Sequence, residues 1–479
     1  MLFPTFAFGL FFVVVFVVNW LTRPAPRLWK PLMLGFSFFF YGYWNWRFVL
    51  LLAFTISVNW IVGNAISELR AGGRAAAARW WVRIGVVVNL GVLGVFKYYD
   101  FFAVELANLL DRVGIGGSLP VLELTLPVGI SFFTFQAMSY IIDLGRGDVE
   151  PMKPLDFAVY LSFFPQLVAG PIVRASEMAP QLAAQPDPRY VPSAEAFRLI
   201  LAGLFKKVVV SSFLASEIVD PVFANPGAHS SPEVLVGVYA YAIQIYADFS
   251  GYTDIAIGVA LLLGFRFPLN FDAPYRALSL RDFWRRWHMT LSRWLRDYLY
   301  VPLGGNRLGK LLTYRNLMLT MLLGGLWHGS TWTFVIWGGI HGVVLAAERF
   351  VRERRAERGT RDVLPPVWGA AVRWFVTFHV VCLAWVFFRA EGLGRAFDVL
   401  GRVAAFDLGG GAGVLSPLVA LTVVLALASQ FVPAGWLAQF DEALTDRGWL
   451  VQGVVIACSL VAIDALGPDG VSPFIYFQF

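Results

Sequence analysis

Long runs of apolar residues alternate with short polar connections along the whole chain. Each run predicts a helix, because it is uninterrupted by charge and long enough to span or half-span a bilayer. The runs cover 5–20, 31–44, 47–65, 84–102, 124–143, 155–170, 196–219, 233–247, 254–264, 313–327, 331–348, 370–389, 414–432 and 449–465. We therefore expect an all-α, polytopic integral membrane protein with roughly 11–14 spanning or half-spanning helices, the short ones shielded from lipid by their neighbours.

The polar stretches are too short to form a soluble domain. The two most polar, 174–193 and 349–366, are each about twenty residues long, and no repeat of solenoid period is visible. The first apolar run lacks a basic segment before it, so we expect it to remain as a spanning helix rather than act as a cleaved signal. The sequence predicts a single membrane domain over 1–479.

Composition supports the membrane assignment. Hydrophobic residues make up 58% of the 479 positions and charged residues 15%, whereas soluble domains carry about 25% charged residues. The net charge of +6 comes from basic clusters between apolar runs, which is the pattern of cytoplasmic loops and predicts that 66–83, 276–312 and 349–368 face the cytoplasm. A basic nucleic-acid-binding face is excluded by that distribution, so lipid is the expected partner and nucleic acid is not.

One charged stretch, 281–298, cannot span the bilayer. On a helical period it places His288 on an apolar face together with Trp284, Leu291, Leu295 and Tyr298. This predicts an amphipathic helix at the cytoplasmic interface, with His288 directed inward. Arginines on the remaining faces could contact lipid headgroups or the phosphates of an anionic ligand: Arg285, Arg286 and Arg293.

His328 is the histidine best placed for chemistry. It follows the apolar segment 313–327, about 22 Å long as a helix, and precedes 331–348; basic runs flank both segments. The sequence therefore predicts a helical hairpin over 313–348 with His328 at membrane depth, where an ionisable residue indicates a functional site. Neutral imidazole can accept a proton from a hydroxyl near neutral pH. The alternative is a hydrogen-bonded histidine that links two helices.

The other histidines carry weaker signals. His288 lies among tryptophans and could serve packing alone, and His341, on the return arm of the hairpin, is a candidate hydrogen-bonding neighbour of the site. His229 and His379 receive no role. Cys382 and Cys458 both lie in apolar runs and read as small core residues. No metal site is expected, and the sequence has no G-x-S-x-G elbow, Walker loop or His-x₃-Asp signature of soluble enzymes.

Two further segments interrupt the apolar pattern. The stretch 248–254 (DFSGYTD) puts two carboxylates into an apolar region, where they must be paired or solvated. They could line a substrate path, or they could hold a broken helix together through hydrogen bonds. The stretch 163–171 has two prolines and a glycine, which predict a helix break.

Several of these segments resemble the membrane-bound O-acyltransferases, and within them the bacterial alginate O-acetyltransferase group. The resemblance runs in order through 126–136 (LPVGISFFTFQ), 164–171 (FPQLVAGP), 248–254 (DFSGYTD), 283–306 (FWRRWHMTLSRWLRDYLYVPLGGN), 325–329 (GLWHG) and 473–479 (PFIYFQF). The 283–306 block and the Trp-His-Gly turn are highly specific, and the segments extend over nearly the whole chain.

The resemblance implies a ring of helices around a thin central region, in which a cytoplasmic acyl donor meets an outer acceptor. It implies catalytic roles for His328 and its upstream partner His288. The donor expected in this group is acetyl-CoA, as a substrate rather than a permanently bound cofactor. The acetyl group would reach an exported polysaccharide such as alginate through a periplasmic SGNH-type acetyltransferase and the polysaccharide synthesis and export complex, from the bacterial inner membrane.

Two other functions stay open at this stage. Relatives with the same motifs could transfer D-alanine or another acyl group from a carrier-protein thioester to an envelope polymer. A protein of a different class, a transporter or scaffold without covalent chemistry, could use Asp248, Asp254 and His328 as a proton-coupled path. Turnover of an acyl donor by the purified protein separates enzyme from transporter.

Overall fold

The computed structural model describes residues 1–116, 120–359, 367–468 and 474–475, and every regular element in these ranges is helical. The all-α prediction is thus confirmed for the described chain. Seven helical segments there are long and apolar enough to cross a membrane: Arg47–Ala71, Ala75–Arg112, Ser193–Ala224, Ser231–Leu262, Trp332–Glu357, Val367–Arg389 and Gly448–Leu466. The protein is therefore a multi-pass membrane protein.

The first of two compact units comprises Met1–Ala196 and Ala256–Pro268. The first nine helices are α1 Phe6–Thr22, α2 Pro26–Gly42, α3 Arg47–Ala71, α4 Ala75–Leu93, α5 Tyr99–Arg112, α6 Ile130–Arg146, α7 Pro154–Ser162, α8 Phe164–Leu167 and α9 Ala175–Ala183. A π-helical turn at Gly94–Tyr98 joins α4 to α5. The break between α7 and α8 confirms the interruption predicted from the prolines of 163–171.

Polar contacts inside this unit tie helices together where apolar packing alone gives little specificity. Asn59 of α3 and Asn89 of α4 exchange two buried amide hydrogen bonds of 3.1 and 2.7 Å. Trp29 donates its indole N–H to Asn19, which links α2 to α1 at 2.8 Å. Such hydrogen bonds between apolar helices are a common way of fixing helix pairs within a membrane.

The second unit comprises Phe197–Ile255 and Leu269–Phe479. The remaining helices are α10 Ser193–Leu204, α11 Ser212–Leu214, α12 Asp220–Ala224, α13 Ser231–Leu262, α14 Leu280–Trp284, α15 Met289–Leu295, α16 Lys310–His328, α17 Trp332–Glu357, α18 Val367–Arg389, α19 Leu393–Ala404, α20 Pro417–Ser429, α21 Ala434–Asp446 and α22 Gly448–Leu466. Three π-helical segments, Phe205–Ser211, Ala215–Val219 and Arg296–Tyr300, interrupt or extend them. The single domain expected over 1–479 stays a prediction.

Helix α13 corrects one expectation. The runs 233–247 and 254–264 were expected as separate helices divided by the polar stretch 248–254, yet the chain continues as one helix through Ser231–Leu262. Asp248 and Asp254 do not interrupt it, because each carboxylate is paired with a lysine from the π-helical segment Phe205–Ser211. With their charge compensated by side chains, the backbone keeps its helical hydrogen bonds.

The stretch 281–298 corrects a second expectation. It is not one amphipathic helix: α14 ends at Trp284 and α15 begins at Met289. The turn between them contains His288 with φ 42° and ψ 55°, in the left-handed region that interrupts a right-handed helix. The burial expected for His288 is nevertheless correct, since its side chain is fully buried.

The predicted sidedness is open to a direct test with single cysteines. We expect Arg74→Cys and Arg354→Cys to resist a membrane-impermeant maleimide in intact cells and to react after permeabilisation, because both exposed arginines lie in predicted cytoplasmic loops. The exposed Cys458 is replaced by alanine in the parent protein, whereas buried Cys382 can stay. Labelling of either variant from outside would overturn the topology. Residues 360–366 of the third loop lie outside the described residues.

Candidate active site

The predicted hairpin is present and places His328 at its turn. Helix α16 ends at His328 and α17 begins four residues later at Trp332. The two helices approach at backbone contact: a Cβ atom on Gly338 would lie 2.3 Å from the carbonyl oxygen of Met321, and one on Gly325 would lie 2.2 Å from that of Phe334. Only glycine permits this approach, so the glycines fix where the turn holds the histidine.

His328 lies in an aromatic environment at the end of α16. Its side chain is 3% exposed, and its ring makes edge contacts with Trp337 at 4.9 Å and Phe388 at 5.2 Å between centroids. Trp327, the preceding residue, lies 4.9 Å away in the same edge arrangement. A site walled by aromatic rings excludes water and strengthens the electrostatic interactions within it.

His288 is held by Asn270. The Asn270 side-chain oxygen Oδ1 lies 3.2 Å from His288 Nδ1, and the same oxygen accepts hydrogen bonds from the backbone N–H and the hydroxyl of Thr290. Phe249 of α13 packs edge-on against the imidazole at 4.7 Å. Burial lowers the pKa of His288 to about 3, so the ring is neutral at physiological pH.

One indole joins the two predicted site histidines. Trp327 contacts the ring of His288 at 5.9 Å and the ring of His328 at 4.9 Å. The structure therefore brings together two histidines that lie forty residues apart in the chain. A common site for both, as the family resemblance implies, requires this proximity. Their catalytic roles stay predictions at this point.

A second indole, that of Trp337, links His341 to His328. Trp337 contacts both rings, His328 at 4.9 Å and His341 at 4.7 Å. Trp284 donates its indole N–H to His341 Nδ1 at 3.2 Å, so the imidazole carries its proton on Nε2. His341 is thus a hydrogen-bonded neighbour of the site.

The remaining histidines lie elsewhere in the second unit. His379 Nε2 is 2.7 Å from the Tyr239 hydroxyl, and its Nδ1 donates to the carbonyl of Phe375. His229 lies 3.9 Å from the carboxylate of Glu233. Neither has a described ring contact with His288 or His328.

The three arginines predicted to meet a donor differ in their surroundings. Arg286 is already paired, with Asp272 at 2.9 Å and Asp282 at 3.1 Å. Arg285 is exposed and Arg293 half-buried. Donor contact by the three residues stays a prediction, and the free surface of Arg285 makes it the one most accessible to an anionic ligand.

The polar stretch of α13 is a set of ion pairs. Lys207 and Asp248 form a buried ion pair, and Lys206 pairs with Asp254 at 2.5 Å while also donating to Ser250. Of the two roles left open by the sequence, these contacts favour the structural one, the joining of neighbouring helices. The sequence alone could not identify the partners, because Lys207 and Lys206 lie 41 and 48 residues before the carboxylates with which they pair.

The described end of the chain packs against the same stretch. Ile475 donates its backbone N–H to Asp248 at 2.7 Å, and the Phe474 ring lies 4.6 Å from that of Tyr252. Of the terminal motif 473–479, only these two residues are described; the others lie outside the described residues. Within the described ranges, no group of three or more His, Cys, Asp and Glu side chains could hold a metal ion.

Sequence reasoning missed Asn270. It lies in 268–272 (PLNFD), where a lone amide between apolar residues gives no periodic or motif signal. Its importance follows only from the fold, which pairs this segment with the residues around His288: Met289 donates to the carbonyl of Asn270, and Asp272 to that of Arg286, both at 2.9 Å.

Comparison with known proteins finds a matching family and several relatives. The family model described as MBOAT, membrane-bound O-acyltransferase family, matches residues 122–387. A "Probable alginate O-acetylase AlgI" of Pseudomonas putida is 37% identical over 483 residues, 95% of each chain. A "Peptidoglycan O-acetyltransferase" of Helicobacter pylori is 39% identical over 403 residues, 78% of this chain and 73% of that protein. A "Teichoic acid D-alanyltransferase" of Streptococcus thermophilus is 28% identical over 313 residues, 61% of this chain and 74% of that protein.

These similarities, together with the helices long and apolar enough to cross a membrane, define a membrane-bound acyl-transfer enzyme. The chain belongs to the membrane-bound O-acyltransferase family. It is an O-acyltransferase.

Proposed function

We propose that this enzyme moves acetyl groups from acetyl-CoA on the cytoplasmic side of the bacterial inner membrane to the outer side, for O-acetylation of an exported polysaccharide such as alginate. The observation that carries the proposal is the buried pair of His288 and His328 around one indole. Two imidazoles in one water-poor site suit acyl transfer to a hydroxyl, which needs a base and an orienting group.

In the proposed reaction, His328 is the general base. It takes the proton of the acceptor hydroxyl as the oxygen attacks the thioester carbonyl carbon. The tetrahedral intermediate then collapses, the carbon–sulfur bond breaks, and the coenzyme A thiolate takes the proton back from the imidazolium. His288, which is neutral and buried, orients a reactant rather than moving its proton, because a ring that hard to protonate is a weak base.

The choice of acetyl over another acyl group rests on the relatives. The O-acetyltransferase and O-acetylase relatives are about 37–39% identical, whereas the D-alanyltransferase is 28% identical over a smaller share of the chain. By the same reasoning we propose that a periplasmic SGNH-type acetyltransferase and the polysaccharide synthesis and export complex receive the acetyl group. Arg285, Arg286 and Arg293 would meet the phosphates of the donor.

The proposal is tested with purified protein in liposomes. With acetyl-CoA outside inside-out proteoliposomes and a polysaccharide that supplies acceptor hydroxyls enclosed in them, we expect transfer of acetyl groups and release of free coenzyme A thiol. The rate should be about a hundredfold lower, yet still measurable, for His288→Ala, because misplacing a reactant costs on that order. His379→Gln is the matched control and should retain the wild-type rate, since His379 lies elsewhere.

Three results would contradict the proposal. Thiol release only from a D-alanyl carrier-protein thioester would move the enzyme to the alternative substrate class. Absence of turnover with either donor would favour a transporter or scaffold. A wild-type rate for His288→Ala would return that histidine to a packing role.

A further inference from the structure

The hydrogen bonds around Asn270 determine which way its amide faces. Oδ1 accepts from the backbone N–H of Thr290 at 3.2 Å and from the Thr290 hydroxyl at 2.9 Å. A backbone N–H can only donate, so the flipped amide would bring its own NH₂ against another donor in a buried site, which is costly. Asn270 is 1% exposed, and water cannot relieve such a conflict. The amide oxygen therefore faces Thr290 and His288.

The orientation of the amide determines the tautomer of His288. Since Asn270 Oδ1 can only accept, the 3.2 Å contact with His288 Nδ1 requires that Nδ1 carry the proton. The neutral ring then has its lone pair on Nε2. His341 is the opposite case in the same unit, because its Nδ1 accepts from Trp284 and its proton lies on Nε2. The fold thus fixes His288 as a hydrogen-bond acceptor at Nε2 and His341 as a hydrogen-bond donor at Nε2.

The backbone reinforces this arrangement. His288 is one of four non-glycine residues with positive φ among the described residues, a conformation that costs free energy and persists only where surrounding contacts impose it. The contacts here come from the Asn270 segment: Met289 donates to the Asn270 carbonyl, and Asp272 to that of Arg286, both at 2.9 Å. The same segment therefore sets both the backbone turn and the protonated nitrogen.

We propose that Asn270 is a positioning residue which locks His288 in the Nδ1–H tautomer. His288 Nε2 then accepts a hydrogen bond from a neighbouring hydroxyl of the acceptor sugar and orients the acceptor toward the donor, while the attacking hydroxyl gives its own proton to His328. This proposal rests on the function proposed above. It decides which of two reactants His288 orients, the acceptor or the donor thioester. A thioester carbonyl needs a hydrogen-bond donor, which Nε2 of this tautomer is not. A hydroxyl needs a hydrogen-bond acceptor, and Nε2 of this tautomer is one.

The first test reads the tautomer without any turnover. The protein is labelled with ¹⁵N-histidine, which gives only five residues to resolve, and the His288 signals are assigned by their loss in His288→Gln. We expect Nδ1 protonated and Nε2 unprotonated in the wild type, and a mixture of tautomers in Asn270→Ala. Thr290→Val is the matched control: it removes one hydrogen bond to Asn270 Oδ1 but keeps the backbone N–H, so the tautomer should stay unchanged.

The second test reads acyl transfer against pH. Asn270→Ala should lower the rate by about 10–100-fold, the loss found when orienting partners of metal-bound histidines are removed. Asn270→Asp still accepts from Nδ1 but adds a negative charge, which raises the pKa of His288. The ratio of the Asn270→Asp rate to the wild-type rate should therefore fall as pH is lowered, because burial keeps the pKa of the wild-type His288 near 3. Protonation of the general base His328 slows both proteins alike and cancels from this ratio.

The outcomes separate this inference from the proposed function. Nε2 protonated in the wild type, an unchanged tautomer in Asn270→Ala, or an equal disturbance by Thr290→Val would overturn the role of Asn270 even if the enzyme transfers acetyl groups. If neither donor is turned over but the tautomers behave as expected, the proposed function fails while the positioning by Asn270 stands. If Asn270→Ala does not fold, the wild-type tautomer and the Asn270→Asp pH profile still decide.

Discussion

His328→Ala is expected to insert into the membrane and to abolish nearly all polysaccharide acetylation. The described aromatic neighbours of His328, the proposed general base, cannot accept a proton in its place: Trp327, Trp337 and Phe388. Removal of a general base typically lowers a rate by about 10²–10⁴-fold. His328→Gln should fail almost as badly, since an amide keeps size and polarity but is not basic.

The comparison of the two variants separates catalysis from packing. The measurement is acetyl content of the exported polysaccharide, normalised to membrane-inserted protein, with His379→Gln as the control for a histidine lost elsewhere. A purely structural His328 would let glutamine restore most of the acetylation, while alanine would lower protein level or thermal stability. Near-normal acetylation in His328→Gln would therefore remove the catalytic assignment.

The sequence predicted the hairpin of His328 because the signals involved are local. Two apolar segments between basic runs determine both helices, Lys310–His328 and Trp332–Glu357. The structure begins both helices and ends the first within three residues of the expected positions, whereas the second continues nine residues past 348, into the basic run. The glycine-bearing turn between them required no information from elsewhere in the chain.

His288 shows where local signals fail. The helical period correctly predicted its burial, but no glycine or asparagine at 288 signals the left-handed turn that divides 281–298. The hydrogen bonds that accompany this turn come from the segment around Asn270, eighteen residues earlier in the chain, which carries no motif signal. The tautomer proposed for His288 follows from the same non-local contact and therefore could not be predicted from the sequence.

The carboxylates of α13 also show what the sequence leaves open. A carboxylate in an apolar run costs free energy unless a partner compensates its charge, but the run does not show whether that partner is a substrate or a lysine. Lys207 and Lys206 compensate Asp248 and Asp254, and the helix continues unbroken. Ion pairs with a neighbouring helix, rather than the order of polar and apolar residues along one helix, decide whether the helix is interrupted at such a stretch.

The second large effect is expected from a single methyl group in the hairpin. At Gly338 a Cβ atom would lie 2.3 Å from the carbonyl oxygen of Met321 and 3.2 Å from Leu322 Cα, both backbone atoms of α16. Because backbone cannot rotate away as a side chain can, Gly338→Ala must push α16 and α17 apart. Overpacking of this kind costs about 1–3 kcal/mol, and the shift would also displace His328 at the end of α16.

Gly339→Ala is the matched control, one residue along the same helix. There a Cβ atom would meet only Leu322 Cδ2, at 3.8 Å, an ordinary contact. Both substitutions gain the same helix propensity, about 1 kcal/mol for alanine over glycine, so the difference between them isolates the contact with α16. In detergent, Gly338→Ala should melt at a lower temperature than Gly339→Ala and acetylate poorly, whereas Gly339→Ala should match the wild type or exceed it in stability. Equal melting temperatures for the two variants would mean that the hairpin is not held at backbone contact, and the glycines would then not be what positions His328.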